Sequence, residues 1–198
     1  MKNLTFLFFF AAILGLAFTN PASSVVSFNV DTTSSFIKWT AYKVTGKHFG
    51  KVKLQSGSLK MNKTKLVGGT FVIDMTTLAV EDIQGEYADK LKGHLMSDDF
   101  FSVEKNKTAT FEITKATATD KMGGYKVDGN LTIKGITKPI SFTSKITNDG
   151  AKVSSTSTIK IDRTNYDIKY GSGKFFPSIG DKAIYDEFDL EVTLVANK

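Results

Sequence analysis

From residue 25 onward apolar and polar residues alternate, and this period of two constrains the chain more than any other feature. Val26, Phe28 and Val30 alternate with polar neighbours, and Ile37, Trp39 and Ala41 oppose Lys38 and Thr40. The clearest run sets Tyr125, Val127, Gly129, Leu131 and Ile133 against Lys126, Asp128, Asn130, Thr132 and Lys134. Phe188, Leu190, Val192 and Leu194 repeat the pattern near the C-terminus. Successive side chains of a strand point to opposite faces, so such runs read as half-buried antiparallel strands, eight or more of them. Gly57, Gly68-Gly69, Gly123-Gly124, Gly135 and Asn148-Asp149-Gly150 read as the turns between them. The class is all-β. That many strands must close into a barrel or pair into a sandwich to hide their edges, and alternation alone leaves both open. A membrane barrel is excluded, because the face away from the core carries Lys, Asp, Glu and Thr where lipid would demand apolar residues.

Two segments break the alternation. Between Glu81 and Met96, Tyr87, Leu91 and Leu95 recur at helical spacing, with Glu86 and Asp89 early and Lys90 and Lys92 later. This predicts one short amphipathic helix lying across the end of the sheet. Residues 166–183 show no period and contain three glycines, which predicts a long functional loop or lid.

The N-terminal segment has a different composition. Lys2 precedes an almost wholly apolar stretch from Leu4 to Phe18, followed by the small, turn-forming residues Thr19 to Ser24. This is the pattern of a cleaved secretory signal peptide, assigned to residues 1–22, with a single domain over 25–198. The stretch is short for a bilayer span of about 20 residues, so no integral membrane segment is expected after cleavage. The chain has no cysteine, which excludes disulfides, thiolate metal sites and cysteine nucleophiles. Its 2 histidines leave no basis for a multi-histidine zinc site. The 26 Lys and Arg against 20 Asp and Glu are dispersed and give no nucleic-acid footprint.

Parity also says something about the interior. If Val153, Ile159 and Ile161 face inward, so do Ser155 and Ser157, and Ser144 shares the face of Phe142 and Ile146. Small residues on an apolar inner face leave volume unfilled, and a barrel of about eight strands can be solid or hold one small ligand. Such a cavity would select an apolar ligand by the area it removes from water. Catalytic signals are weak: no Gly-x-Ser-x-Gly elbow occurs, and the carboxylates Asp98-Asp99 read better as a helix-exit turn. His48 and His94 read as structural, hydrogen-bonded histidines.

Four segments in series resemble a known family. Leu91 to Val103 (LKGHLMSDDFFSV) resembles the His-Leu, small residue, Asp-Phe-Phe-x-Val segment of the YceI family. Gly129 to Ile140 (GNLTIKGITKPI) is similar to its Gly-x-Leu-Thr-Ile-x-Gly-Val-Thr-Lys-Pro hairpin. Asp162-Arg163-Thr164 and Gly180-Asp181 resemble two further segments near the end of the chain. The pattern departs at Thr32 to Ser35, which lack the histidine often found after the first Val-Asp, so no role resting on it carries over.

The resemblance implies an extended, lipocalin-like antiparallel barrel of eight strands with a helix at one end. It also implies an exported, periplasmic or secreted, non-enzymatic protein that holds a polyisoprenoid, quinone-like or other long-chain amphiphilic lipid. No cofactor is implied, and a homodimer is left open. Parity chooses the lipid-binding wall: Ile37 and Trp39, Phe71 and Ile73, Phe111 and Ile113, Leu131 and Ile133, then Phe142, Ile159, Phe188 and Leu190. The family segment adds Phe100 and Phe101 as a plug at the barrel end and Thr137-Lys138-Pro139 as a tight hairpin. Head-group contacts are assigned to His94, Tyr166 and Lys169. Two other readings stand beside this one: an interaction domain with a filled barrel, and a lipid-modifying enzyme using His94 and Asp98.

Overall fold

The structure is a computed structural model describing residues 24–198. The expected signal peptide lies outside the described residues. The strands are β1 (Val25–Val30), β2 (Phe36–Lys43), β3 (Gly46–Asn62) and β4 (Lys65–Val80), then α1 (Glu86–Met96). After the helix come β5 (Thr108–Ala118), β6 (Gly124–Ile133), β7 (Ile136–Asn148), β8 (Lys152–Asp162) and β9 (Ile184–Asn197). Every pairing is antiparallel, and the ring runs β3-β2-β9-β8-β7-β6-β5-β4, closed by β4 on β3.

The nine strands make an eight-stave barrel because β1 and β2 share one stave. β1 pairs with the far end of β3, Val25 opposite Asn62, while β2 pairs with its start, Ile37 opposite Val52. The break between them is a turn organised by Asp31, whose carboxylate accepts from the Thr33 hydroxyl at 2.6 Å and the Ser34 hydroxyl at 2.7 Å. Those two hydroxyls hold its pKa far below the usual carboxylate range. At about 3.3 Å per residue, the 17 residues of β3 make the barrel long rather than squat.

Three of the expected turns lie elsewhere. Gly57 is inside β3 opposite Phe71, and a Cβ there would meet the Phe71 ring at 2.8 Å. Gly68 and Gly69 are inside β4, and the β3–β4 reversal falls instead at Lys63, with φ 54°. Gly57 and Gly69 leave room for the close approach of a neighbouring strand, a use of strand glycine that a turn-based reading misses. The hairpin expected at Thr137-Lys138-Pro139 is made by Lys134 and Gly135, both at positive φ, as a two-residue loop that matches strand twist requires. Pro139 lies within β7 opposite Asn130.

The helix is shorter than expected, starting at Glu86, and its stripe is narrower. Leu95 is buried and Leu91 half-buried, but Tyr87 is 77% exposed. The helix, the segment after it and the long β8–β9 connection all lie at one end of the barrel. Short turns close the other end over Phe28, Met61, Val153 and Ala196, all nearly inaccessible to solvent. The irregular segment expected at 166–183 is indeed without strands; it carries 3-10 turns at Arg163–Tyr166 and Gly180–Lys182.

One seam in the wall is incomplete. β7 and β8 pair from Ser144 to Asn148 against Val153 to Ser157, and above that, among the described residues, the two strands part. Just below the split the Ser144 and Ser155 hydroxyls lie 2.8 Å apart, both buried.

Candidate functional site: an apolar cavity with one elaborated end

The inward side chains do not meet across the barrel. They enclose a cavity of about 180 Å³, far more than the roughly 10–15 Å³ one water needs. All fourteen residues assigned to the wall from the sequence line it, Phe100 and Phe101 included. Ser144, Ser155 and Ser157 also face it, as their parity required. The filled-barrel reading does not match this interior. Phe111 is central to the wall: its ring centroid lies 6.3 Å from Phe71 and 5.5 Å from Phe142, so β4, β5 and β7 share one aromatic surface.

The sequence reading missed the β3 contribution, Val52, Leu54 and Leu59, and Met75 and Leu78 of β4. Val52 and Leu54 are even-numbered and Leu59 and Met61 odd, yet all four are buried, because the register shifts between Leu54 and Ser56. A bulge reverses parity without any sign in the pattern. Arg163 was missed as well, although it sits in a quoted segment.

Arg163 lines the cavity at the helix end with its side chain only 5% exposed. Nε donates to the Tyr185 carbonyl at 3.0 Å, and Nη1 to the carbonyls of Ile168 at 2.9 Å and Tyr170 at 2.8 Å. Nη2 donates to the Ile184 carbonyl at 3.0 Å and lies 3.6 Å from Asp186. Burial lowers its pKa while Asp186 and Asp162 oppose that shift, and a guanidinium stays charged throughout. One side chain thereby fixes both ends of the β8–β9 connection over the barrel end.

The three residues assigned to a head group do not line the cavity. Tyr166 is buried, its hydroxyl has no partner among the described residues, and burial pushes its pKa up to about 12. Lys169 pairs with Asp167 at 2.6 Å. His94 sits against the edges of Phe100 and Tyr170, at centroid distances of 4.9 and 4.5 Å, and joins the helix to the β8–β9 connection.

The structure does not bring His94 and Asp98 together as an acid–base pair. His94 Nε2 faces Asp99 at 3.2 Å. Asp98 is engaged by Lys105 and by the Ser102 hydroxyl, which hold its carboxyl below the usual range. His48 Nδ1 faces Asp82 at 2.7 Å, and Asp82 also accepts from the Phe49 amide at 3.0 Å. His48 and the Phe49 amide, both in β3, thereby tie the start of the connection between β4 and β5 to the barrel through Asp82. Among the described residues, no group of three or more His, Cys, Asp or Glu could hold a metal, and no helix is long and apolar enough to cross a membrane.

A closed antiparallel barrel around one apolar cavity, with a helix across one end, is a lipocalin-like architecture. The YceI-like domain family matches residues 21–196, and the chain belongs to that family. A UPF0312 protein of Serratia proteamaculans is 39% identical over 74 residues, 37% of this chain and 37% of that protein. The chain thus spans little more than a third of the curated relatives it matches first. A Shewanella baltica UPF0312 protein is 29% identical over 147 residues, covering 71% of this chain and 73% of its own. Among solved structures, Burkholderia cenocepacia BcnA is similar at TM-score 0.69 and 20% identity, over 85% of this chain and 99% of that one. A polyisoprenoid-binding domain from Saccharophagus degradans follows at TM-score 0.61 and 15% identity, over 86% of this chain and 97% of that domain. These likenesses show the shared fold.

Proposed function

We propose that this is an exported, non-enzymatic binding protein that holds a long-chain amphiphilic lipid, of polyisoprenoid or quinone-like type, inside its barrel. The observation that carries the reading is the cavity itself, enclosed by aliphatic and aromatic side chains with few polar groups beyond three serines and Arg163. Burying about 300 Å² of hydrocarbon there at about 25 cal/mol per Å² gives about 7–8 kcal/mol before association costs, without many hydrogen bonds. The Saccharophagus domain, described as polyisoprenoid-binding, supports the ligand class. The periplasmic or secreted location proposed for this chain rests on its signal-like N-terminal sequence. Against catalysis, His94 is packed against two aromatic rings and faces Asp99, not Asp98.

The test is organic extraction and native mass spectrometry of protein purified from its own host, followed by uptake of labelled polyprenyl and quinone ligands. A co-purifying long-chain lipid is expected. Reproducibly empty protein that takes up neither ligand refutes the reading.

A further inference from the structure

We propose that the helix end of the barrel is a docking surface for an anionic lipid bilayer. The β8–β9 connection presents Tyr170, Phe175 and Phe176 to solvent and the start of β9 adds Tyr185, Phe176 being 51% and Tyr185 55% exposed. Val44, in the β2–β3 turn, joins them through its amide, which donates to the Ala183 carbonyl at 3.2 Å. Among the described residues the exposed aromatics cluster at this end, with Phe49 and Tyr87 close to it and Phe36, at the start of β2, set apart. Apolar surface gathered in one place marks an interaction site, whereas single scattered residues do not.

The aromatics are held in place. The Phe175 and Phe176 amides both donate to the Ser172 carbonyl, at 3.2 and 2.9 Å, and Ser172 is fully buried. Arg163 fixes the same connection from beneath through Tyr170 and Tyr185. The surface is also continuous with the cavity, because Tyr185 is both exposed and part of its wall.

The chemistry around the rings favours a bilayer over a protein partner. Lys169 and Lys174 lie 5.4 and 5.7 Å from the Phe175 ring centroid, Lys169 being also paired with Asp167, and Lys182 follows Asp181, so lysines outnumber carboxylates three to two in this segment. Lysine is depleted from protein–protein interface cores. Aromatic rings interleaved with lysine suit the headgroup layer, where the rings sit at the acyl boundary and the ammonium groups meet anionic headgroups. The chain's net charge of +6 has the matching sign. The purpose of such docking, exchange of cargo with a membrane, rests on the lipid-cavity reading; the docking itself does not.

The experiment is co-sedimentation of the protein, purified from its own host, with vesicles of phosphatidylglycerol and phosphatidylethanolamine, and with vesicles of phosphatidylcholine alone. Salt-sensitive binding to the anionic vesicles is expected. A Phe175→Ser, Phe176→Ser double variant should lose at least tenfold in affinity, Lys169→Gln with Lys174→Gln should weaken binding, and Phe36→Ser should leave it unchanged. Failure to sediment with either vesicle, or equal affinity of the phenylalanine double variant, overturns the proposal. Should lipid still be extracted from the cavity in that case, the cargo reading stands and only the docking falls.

Discussion

Replacing Arg163 tests how the elaborated end of the barrel is held. Its guanidinium makes four hydrogen bonds of 2.8–3.0 Å to main-chain carbonyls, with Asp186 alongside. Charge-assisted bonds contribute about 1.5–3 kcal/mol each, but a full sum overstates the loss. Three of the four contacts are only part-buried, so water can replace some of them in the variant. Removing one partner of a buried charged network costs about 3–5 kcal/mol, which is the expected destabilisation for Arg163→Met. At about 2–4 °C per kcal/mol for a domain of this size, the melting temperature should fall by roughly 6–20 °C. Arg163→Lys keeps the charge but has one donor nitrogen, which cannot span four carbonyls, so it should lose most of the same amount. Thermal melts by circular dichroism, checked by urea unfolding, measure both. An Arg163→Lys variant within about 1 kcal/mol of the parent would refute the idea that the planar fork, rather than charge or bulk, holds this segment.

Three further outcomes follow from the geometry. In Gly129→Ala the new Cβ would lie 2.4 Å from both the Glu112 carbonyl and the Phe111 ring; overpacking of this kind costs about 1–3 kcal/mol, and an unchanged urea midpoint would contradict it. Burial raises the Asp82 carboxyl, but the Phe49 amide and His48 outweigh it, and the net pKa is lowered. The stabilisation is therefore complete above the unfolded value of about 3.9 and is lost as pH falls through the folded value. The denaturation midpoint should drop below about pH 4 in the parent more steeply than in Asp82→Asn, and parallel curves would exclude the effect. Hydrogen exchange should be faster in residues 158–162 of β8, which lack β7 as a partner, than in residues 153–157, which have it; equal protection would mean the seam closes in solution.

The strand faces were legible because period two is a local property: side chains alternate whatever the strand's partner. The twelve wall positions chosen by parity all line the cavity, as do the three serines. Parity failed where geometry was not local. The bulge at Leu54–Ser56 reverses β3, and Gly57 and Gly69 serve close packing where turns were expected. Tyr87 kept the helical spacing of Leu91 and Leu95, but the short helix buries only a narrow stripe.

What the sequence determined by itself was therefore the alternating amphipathic strands, the absence of thiol and multi-histidine chemistry, and the inward-facing side chains of the strands that keep their parity. Three things were left to the tertiary structure: that the sheet closes into a barrel, that the inward side chains stop short of one another, and that Arg163 gathers the carbonyls of a distant segment. The reason is physical. Alternation follows from backbone geometry within a few residues, whereas closure, residual volume and a buried charge's partners depend on strand register and packing between residues far apart in the chain.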